Sequence, residues 1–218
     1  DSRKHNIDAI YTQRSQASKN FFSENAARFK EQQDLIVAFD VYAQHVSETL
    51  ENSQVPSTQH ALEIGPGTGE FLQVLAQRFA HVSALDNSAE MLAESQKRCQ
   101  QLALSNIEFI HNDTSHCRDF PNSVDCAVIN MVLHHTPSPQ QIFHDVAASL
   151  KSQGVLIVCD LCQHDQDWTR EACGDLWLGF SPEDLTRWAY AQQLNEGQSS
   201  YFALRNGFQI QIREFIKN

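Results

Sequence analysis

Several features that would have named a function outright are missing from the sequence. No apolar run approaches the roughly 20 residues that cross a bilayer, so no membrane span is expected. No basic cluster exists either: Lys and Arg total 16 against 27 Asp and Glu, the net charge is −11, and the cations are scattered. A polyanion would meet repulsion, so nucleic acid is not expected to bind this chain. The opening residues Asp1-Ser2-Arg3-Lys4-His5 include neither an initiator Met nor the apolar stretch of a secretion signal, and the sequence is read as a piece that can lack an upstream part. Six cysteines (Cys99, Cys117, Cys126, Cys159, Cys162 and Cys173) without such a signal are expected as reduced thiols in a cytoplasmic protein. Glycine is sparse, at 8 residues, yet Gly65, Gly67 and Gly69 fall within five positions.

What is present suffices for one sizeable core, with 41% hydrophobic residues over 218 positions. Phe21, Phe22, Ala26 and Phe29 recur at helical spacing, and Leu35, Ile36, Phe39, Val46 and Leu50 continue the stripe. Two or three amphipathic helices are therefore predicted, forming a helical cap or lid over residues 1–54. A polar break at 52–59, with Pro56, opens the main domain, assigned to 55–218.

From there short apolar runs at 61–64, 82–85, 107–110, 124–131 and 155–160 alternate with helical stretches at 70–78, 88–103 and 139–150. That rhythm predicts right-handed crossovers and a doubly wound α/β fold with a mostly parallel sheet. Ser181-Pro182-Glu183-Asp184 supplies an N-cap, a proline at the first helical position and acids in the first turn, so a helix is predicted to about Leu194. The β-prone runs 199–204 and 208–215 meet at Asn206-Gly207, which predicts a two-residue hairpin with positive φ at both positions.

The most informative segment is Ala61-Leu62-Glu63-Ile64-Gly65-Pro66-Gly67-Thr68-Gly69-Glu70. Glycines directly after a strand let the backbone turn sharply and approach a ligand closely. The spacing is G-x-G-x-G rather than the dinucleotide G-x-G-x-x-G, Glu70 stands where a pyrophosphate would lie, and no Lys follows as in a phosphate-cradling loop. The ligand is therefore expected to carry no phosphate. S-adenosylmethionine fits, since its ammonium and ribose ask for acids. Glu63 can face the ammonium and Asp86, about 20 residues on, suits two ribose hydroxyls. Asp113 is placed to accept from the adenine amine, although Asp86 and Asp113 can each equally cap a helix or turn.

The ordered set E-I-G-P-G-T-G, A-L-D-N-S-A-E-M-L, H-N-D-T and V-I-N-M-V-L-H-H resembles the successive motifs of class I S-adenosylmethionine-dependent methyltransferases, over roughly residues 61–160. The resemblance implies a Rossmann-like seven-stranded sheet closed by the hairpin. It further implies that Gly65, Gly67 and Gly69 pack on methionine and ribose, that Met91 flanks adenine, and that residues 130–135 lie near sulfonium and acceptor. Pro66, Asn87, Asn112, Thr114 and Asn130 join the cofactor-binding set through the same motifs, with His135 as the candidate catalytic residue. The segment Leu150-Lys151-Ser152-Gln153-Gly154 departs from the family's Pro-Gly-Gly turn. Residues 3–5, 16–22, 164–168 and 178–181 also resemble bacterial methyltransferases fused behind an ArsR-type winged-helix repressor.

Methyl transfer is an in-line displacement that needs alignment more than a base. His134, His135, Asp160 and His164 fall near the expected crevice, where a histidine is either a proton acceptor or a structural donor. Cys159 and Cys162 form a C-x-x-C pair that, with Cys173 or His164, raises a thiolate metal site or metalloid methylation, although alternation makes Cys159 a core residue; no metal is expected. Trp168, Trp177, Phe180 and Trp188 either pack or line an acceptor pocket. The expected activity is methyl transfer to a small molecule by a chain able to form a homodimer, with a non-catalytic sensor domain of a regulator as the alternative.

Overall fold

The computed structural model describes residues 2–25 and 29–218, with side chains for 4–20, 31 and 33–218. Ala26 therefore lies outside the described residues, as do the side chains of Phe21, Phe22 and Phe29 that opened the predicted apolar stripe.

Three helices come first: α1 (Ser2–Asn25), α2 (Phe29–Asp34) and α3 (Phe39–Asn52). Among the described side chains, those of α3 continue the predicted stripe, burying Tyr42, Ala43, Val46 and Leu50. The helix α1 leaves Ile7, Ile10 and Tyr11 exposed. Then β1 (His60–Ile64), α4 (Glu70–Arg78), β2 (His81–Asp86), α5 (Ala89–Gln101), β3 (Ile107–His111), β4 (Val124–Asn130), α6 (Pro139–Ser149) and β5 (Leu150–Leu161) follow in alternation. Two short helices, α7 (Trp168–Cys173) and α8 (Pro182–Ala191), precede β6 (Leu194–Ala203) and β7 (Gln209–Lys217).

The strands form one seven-stranded sheet in the order β3-β2-β1-β4-β5-β7-β6. The first five are parallel, while β7 runs antiparallel to both β5 and β6. Alternation within single strands loads both faces. Val155, Ile157 and Cys159 join the layer under α3 and α4, and Leu156 and Val158 the layer under α6 and α8. This is the doubly wound architecture the rhythm predicted.

The hairpin differs in its turn. Leu204 N–H donates to Phe208 O at 2.8 Å and Gly207 N–H to Leu204 O at 3.3 Å, so Arg205, Asn206 and Gly207 form a three-residue loop. Only Gly207 among them has positive φ, at 89°. A turn followed by a left-handed glycine closes the strands with one residue more than the predicted pair. The strand β5 also begins earlier than expected, at Leu150 opposite Val124. Residues 151–154 form a bulge in which Gln153 takes φ 64°. At the other boundary the Ser181 hydroxyl accepts from Asp184 N–H, as predicted, but α8 ends at Ala191, short of Leu194.

Candidate functional site

Strand order reverses between β1 and β4, and a cavity of about 540 Å³ opens there, beyond the carboxyl ends of β1 to β4. That is where open α/β sheets bind ligands, and the volume lies in the usual ligand-pocket range. Of the residues expected to bind cofactor, Glu63, Gly65, Pro66, Gly67, Asp86, Asn87, Met91, Asn112, Asp113, Thr114 and Asn130 all line it. Gly69 does not.

The glycine turn takes its shape from backbone necessity. Gly65, Gly67 and Gly69 adopt φ of 64°, 60° and 86°, a region that costs other residues about 1–2 kcal/mol. A Cβ on Gly65 would stand 2.6 Å from Val132 Cγ2, and one on Gly69 would stand 3.0 Å from Ser95 Cα. Gly69 thus serves α4–α5 packing and does not line the cavity.

Two acids flank the turn. Glu63, at the end of β1, is 2% exposed and its Oε1 has no hydrogen-bond partner. Burial, then the nearby Glu70 and Asp86 charges, push its carboxyl up to about 8. At the end of β2, Asp86 Oδ1 accepts from Ser88 N–H at 2.9 Å. Burial raises the Asp86 carboxyl to about 6 against that bond. Both side-chain atoms of Asn130, at the end of β4, are also buried and unpartnered. Buried polar atoms are normally satisfied, so orphaned ones aimed at a cavity mark a ligand's place. Asp113 accepts from Ser115 N–H at 2.9 Å and caps the 3-10 turn Thr114–Asp119. Its capping role is therefore met by the fold.

Among the four candidate proton-handling groups, only His135 lines the cavity. Its ring Nδ1 lies 3.4 Å from Gly174 O, and burial beside His134 lowers its basicity well below the usual range. His134 is buried behind it with Asp160, while His164 packs edge-on against Phe208. The aromatic pocket is not formed: Phe180 and Trp188 sit in the core, Trp177 donates to Thr136 O, and Trp168 is half exposed. Burial pushes the Cys159 thiol well above its usual range, Cys162 up to about 11 and Cys173 to about 12. The C-x-x-C pair is thus held as thiol rather than thiolate.

Sequence reasoning missed part of the wall. Asp145 on α6, 1% exposed, accepts from Thr114 Oγ1 at 2.8 Å and pairs with Arg118 Nε at 3.2 Å. Its signal was absent because an acid inside an amphipathic helix reads as a solvent residue. Tyr42 and Phe39 from α3, with Ser15 and Ser18 from α1, complete the side nearest the first helices. Met131 also borders the cavity at φ 56°, a strained turn after β4 of the kind found at functional sites.

Residues 62–158 match a family model described as a methyltransferase domain. Demethylmenaquinone methyltransferase of Listeria welshimeri is 25% identical over 131 residues, which is 59% of this chain and 56% of that protein. Phosphatidylethanolamine N-methyltransferase of Cereibacter sphaeroides is 26% identical over 106 residues, 48% of this chain and 52% of that protein. The chain therefore spans little more than half the length of these relatives. Among solved structures, the 1,6-didemethyltoxoflavin-N1-methyltransferase of Burkholderia thailandensis, with bound 1,6-didemethyltoxoflavin and S-adenosylhomocysteine, superposes with a TM-score of 0.71. It shares 15% identity, over 95% of this chain and 90% of that one. No helix among the described residues is long and apolar enough to cross a membrane. Residues 62–158 are thus similar to a methyltransferase domain, and the seven-stranded sheet around them has the fold of the solved methyltransferase.

Proposed function

We propose that the protein transfers a methyl group from S-adenosylmethionine to a small-molecule acceptor bound in the same cavity. The observation that carries this reading is the set of orphaned polar atoms, Glu63 Oε1 and both of Asn130, opening beside a glycine turn too crowded for any side chain at Gly65. Those residues line the cavity and fit the cofactor: Glu63 would hold its ammonium, Asp86 and Asn87 its ribose, and Met91, Asn112, Asp113 and Thr114 its adenine. The bound cofactor supplies an electrophilic methyl on a sulfonium centre.

The chain's own part is alignment and exclusion of water. The first helices form a lid over one side, through Ser18, whose hydroxyl donates to His135 O at 2.8 Å, and through Phe39 and Tyr42. His135 belongs to the acceptor wall. An acidic surface of net charge −11 favours a small acceptor over nucleic acid. The likeness to methyltransferases fused behind an ArsR-type repressor belongs to this proposal too, and a winged-helix reading frame directly upstream in the gene checks it.

Titration calorimetry with S-adenosylhomocysteine is expected to give one site per chain, with at least tenfold weaker binding in Asp86→Ala. Absence of heat in the wild type refutes the reading. Binding without consumption of S-adenosylmethionine across a panel of oxygen, nitrogen and sulfur acceptors would favour a sensor instead.

A further inference from the structure

Beside the cavity, four titratable side chains from distant parts of the chain meet at one buried point. His134 and His135 lie in the loop after β4, Asp160 near the end of β5, and Asp175 just past α7. His134 Nδ1 is 2.7 Å from Asp160 Oδ1; Asp175 Oδ1 is 3.6 Å from His134 Nε2 and 3.5 Å from His135 Nδ1. The side chains of His134, Asp160 and Asp175 are at most 1% exposed and that of His135 is 5% exposed. Neither carboxylate oxygen of Asp175 has a well-formed hydrogen bond: the one hydroxyl close enough to act on it, that of Thr169, donates to Gln166 O at 3.1 Å.

We propose that His134 Nε2, His135 Nδ1 and the Asp175 carboxylate bind one divalent transition-metal ion of the zinc class, with Asp160 as the residue that positions the His134 ring. Separations of 3.5 and 3.6 Å are too long for hydrogen bonds. They are the spacing of ligands on a common ion, since two bonds of about 2.1 Å at a tetrahedral angle place their donor atoms roughly 3.4 Å apart. Two imidazoles and a carboxylate suit zinc and its neighbours, whereas magnesium and calcium take all-oxygen sets. The His134–Asp160 contact is the outer bond such a site needs, because a metal-bound imidazole normally gives its other N–H to a carboxylate.

Charge points the same way. A single proton shared by the histidines would leave two buried carboxylates with one positive charge between them. A divalent ion balances both. The site would also fasten the segment after α7, whose Leu176 and Trp177 N–H groups already donate to His134 O at 2.8 and 3.1 Å, to the loop that borders the cavity. Among the described residues no other group of three His, Cys, Asp or Glu side chains is so arranged, and Cys159, Cys162 and Cys173 are not in it. Ligation replaces the long 3.4 Å contact of His135 Nδ1 with Gly174 O, so that nitrogen loses its proton to become a ligand atom and is not the acceptor's base.

The test uses the full chain, stripped with a chelator and then titrated separately with Zn²⁺ and Mg²⁺. One zinc per chain, retained through desalting, with no retained magnesium, is expected. Affinity should fall at least tenfold in Asp175→Asn and His135→Gln, and roughly 10–100-fold in Asp160→Asn. Should those variants unfold, the wild type suffices: a bound Co²⁺ spectrum free of sulfur-to-metal charge transfer supports the site, and one carrying such a band overturns it. Wild type that still binds S-adenosylhomocysteine but retains no zinc also overturns it, as does zinc retained unchanged by Asp175→Asn.

Discussion

The raised carboxyl of Glu63 makes ligand binding a proton-coupled event. With its proton held to about pH 8, roughly nine-tenths of unliganded molecules are neutral at this position at pH 7. An ammonium placed against Glu63 Oε1 requires the carboxylate, so each S-adenosylhomocysteine bound at pH 7 should expel about 0.9 proton. Between pH 6 and 8 the affinity should rise about fifty-fold, since the proton that must leave becomes cheaper to remove over that window. Calorimetry at pH 7 in phosphate and in Tris, whose ionisation heats differ, reads the proton number as the slope of observed heat against buffer enthalpy. Glu63→Gln should bind more weakly and show no slope. Undiminished binding with zero slope in the wild type, or an unchanged slope in Glu63→Gln, refutes the reasoning.

The same group should make the unliganded fold pH-sensitive. A carboxyl whose folded-state value is raised contributes stability at low pH that is lost as pH climbs, here from about 4.5 toward about 8, so the urea midpoint of the wild type should fall across that window while that of Glu63→Gln stays flatter. Gly65→Ala should lose about 2–4 kcal/mol in urea unfolding, part from its φ of 64° and part from the contact with Val132. Adding Val132→Ala should recover only the second part. Native protein at pH 7 should titrate slowly with a disulfide reagent at a single thiol, Cys162, the one cysteine that is not fully buried, with a rate that rises steeply with pH. Fast reaction of several thiols would contradict that burial pattern.

How much was legible in the sequence depended on whether a signal was local. The helix at 70–78, the parallel strands and the capped start of α8 were readable because apolar runs and caps act within a few residues. The starts of β5 and β6 were not. Lys151-Ser152-Gln153 and Asn195-Glu196-Gly197-Gln198 are polar because one is a bulge and the other an edge strand shifted in register, and neither writes an apolar pattern. In the cavity, Glu63, Asp86 and Asn130 were legible because each ends a strand beside a turn. Asp145, Tyr42 and Asp175 were not, because only tertiary packing brings them to the cavity wall or to the histidines. The hairpin turn failed by one residue, since the Asn-Gly pair fits a three-residue loop as well as a two-residue one.

The place of β7 in the sheet has a consequence for how the protein is made. It lies between β5 and β6, so β6 leaves the ribosome before the strand that will pair it, and waits with its backbone donors and acceptors open. Until β7 slots in, β5 is equally an open edge, with a run of buried apolar residues exposed to any extended chain nearby. The vulnerable interval in biogenesis is therefore the insertion of one central ribbon, and chaperone demand should concentrate on nascent chains that have β6 but not yet β7.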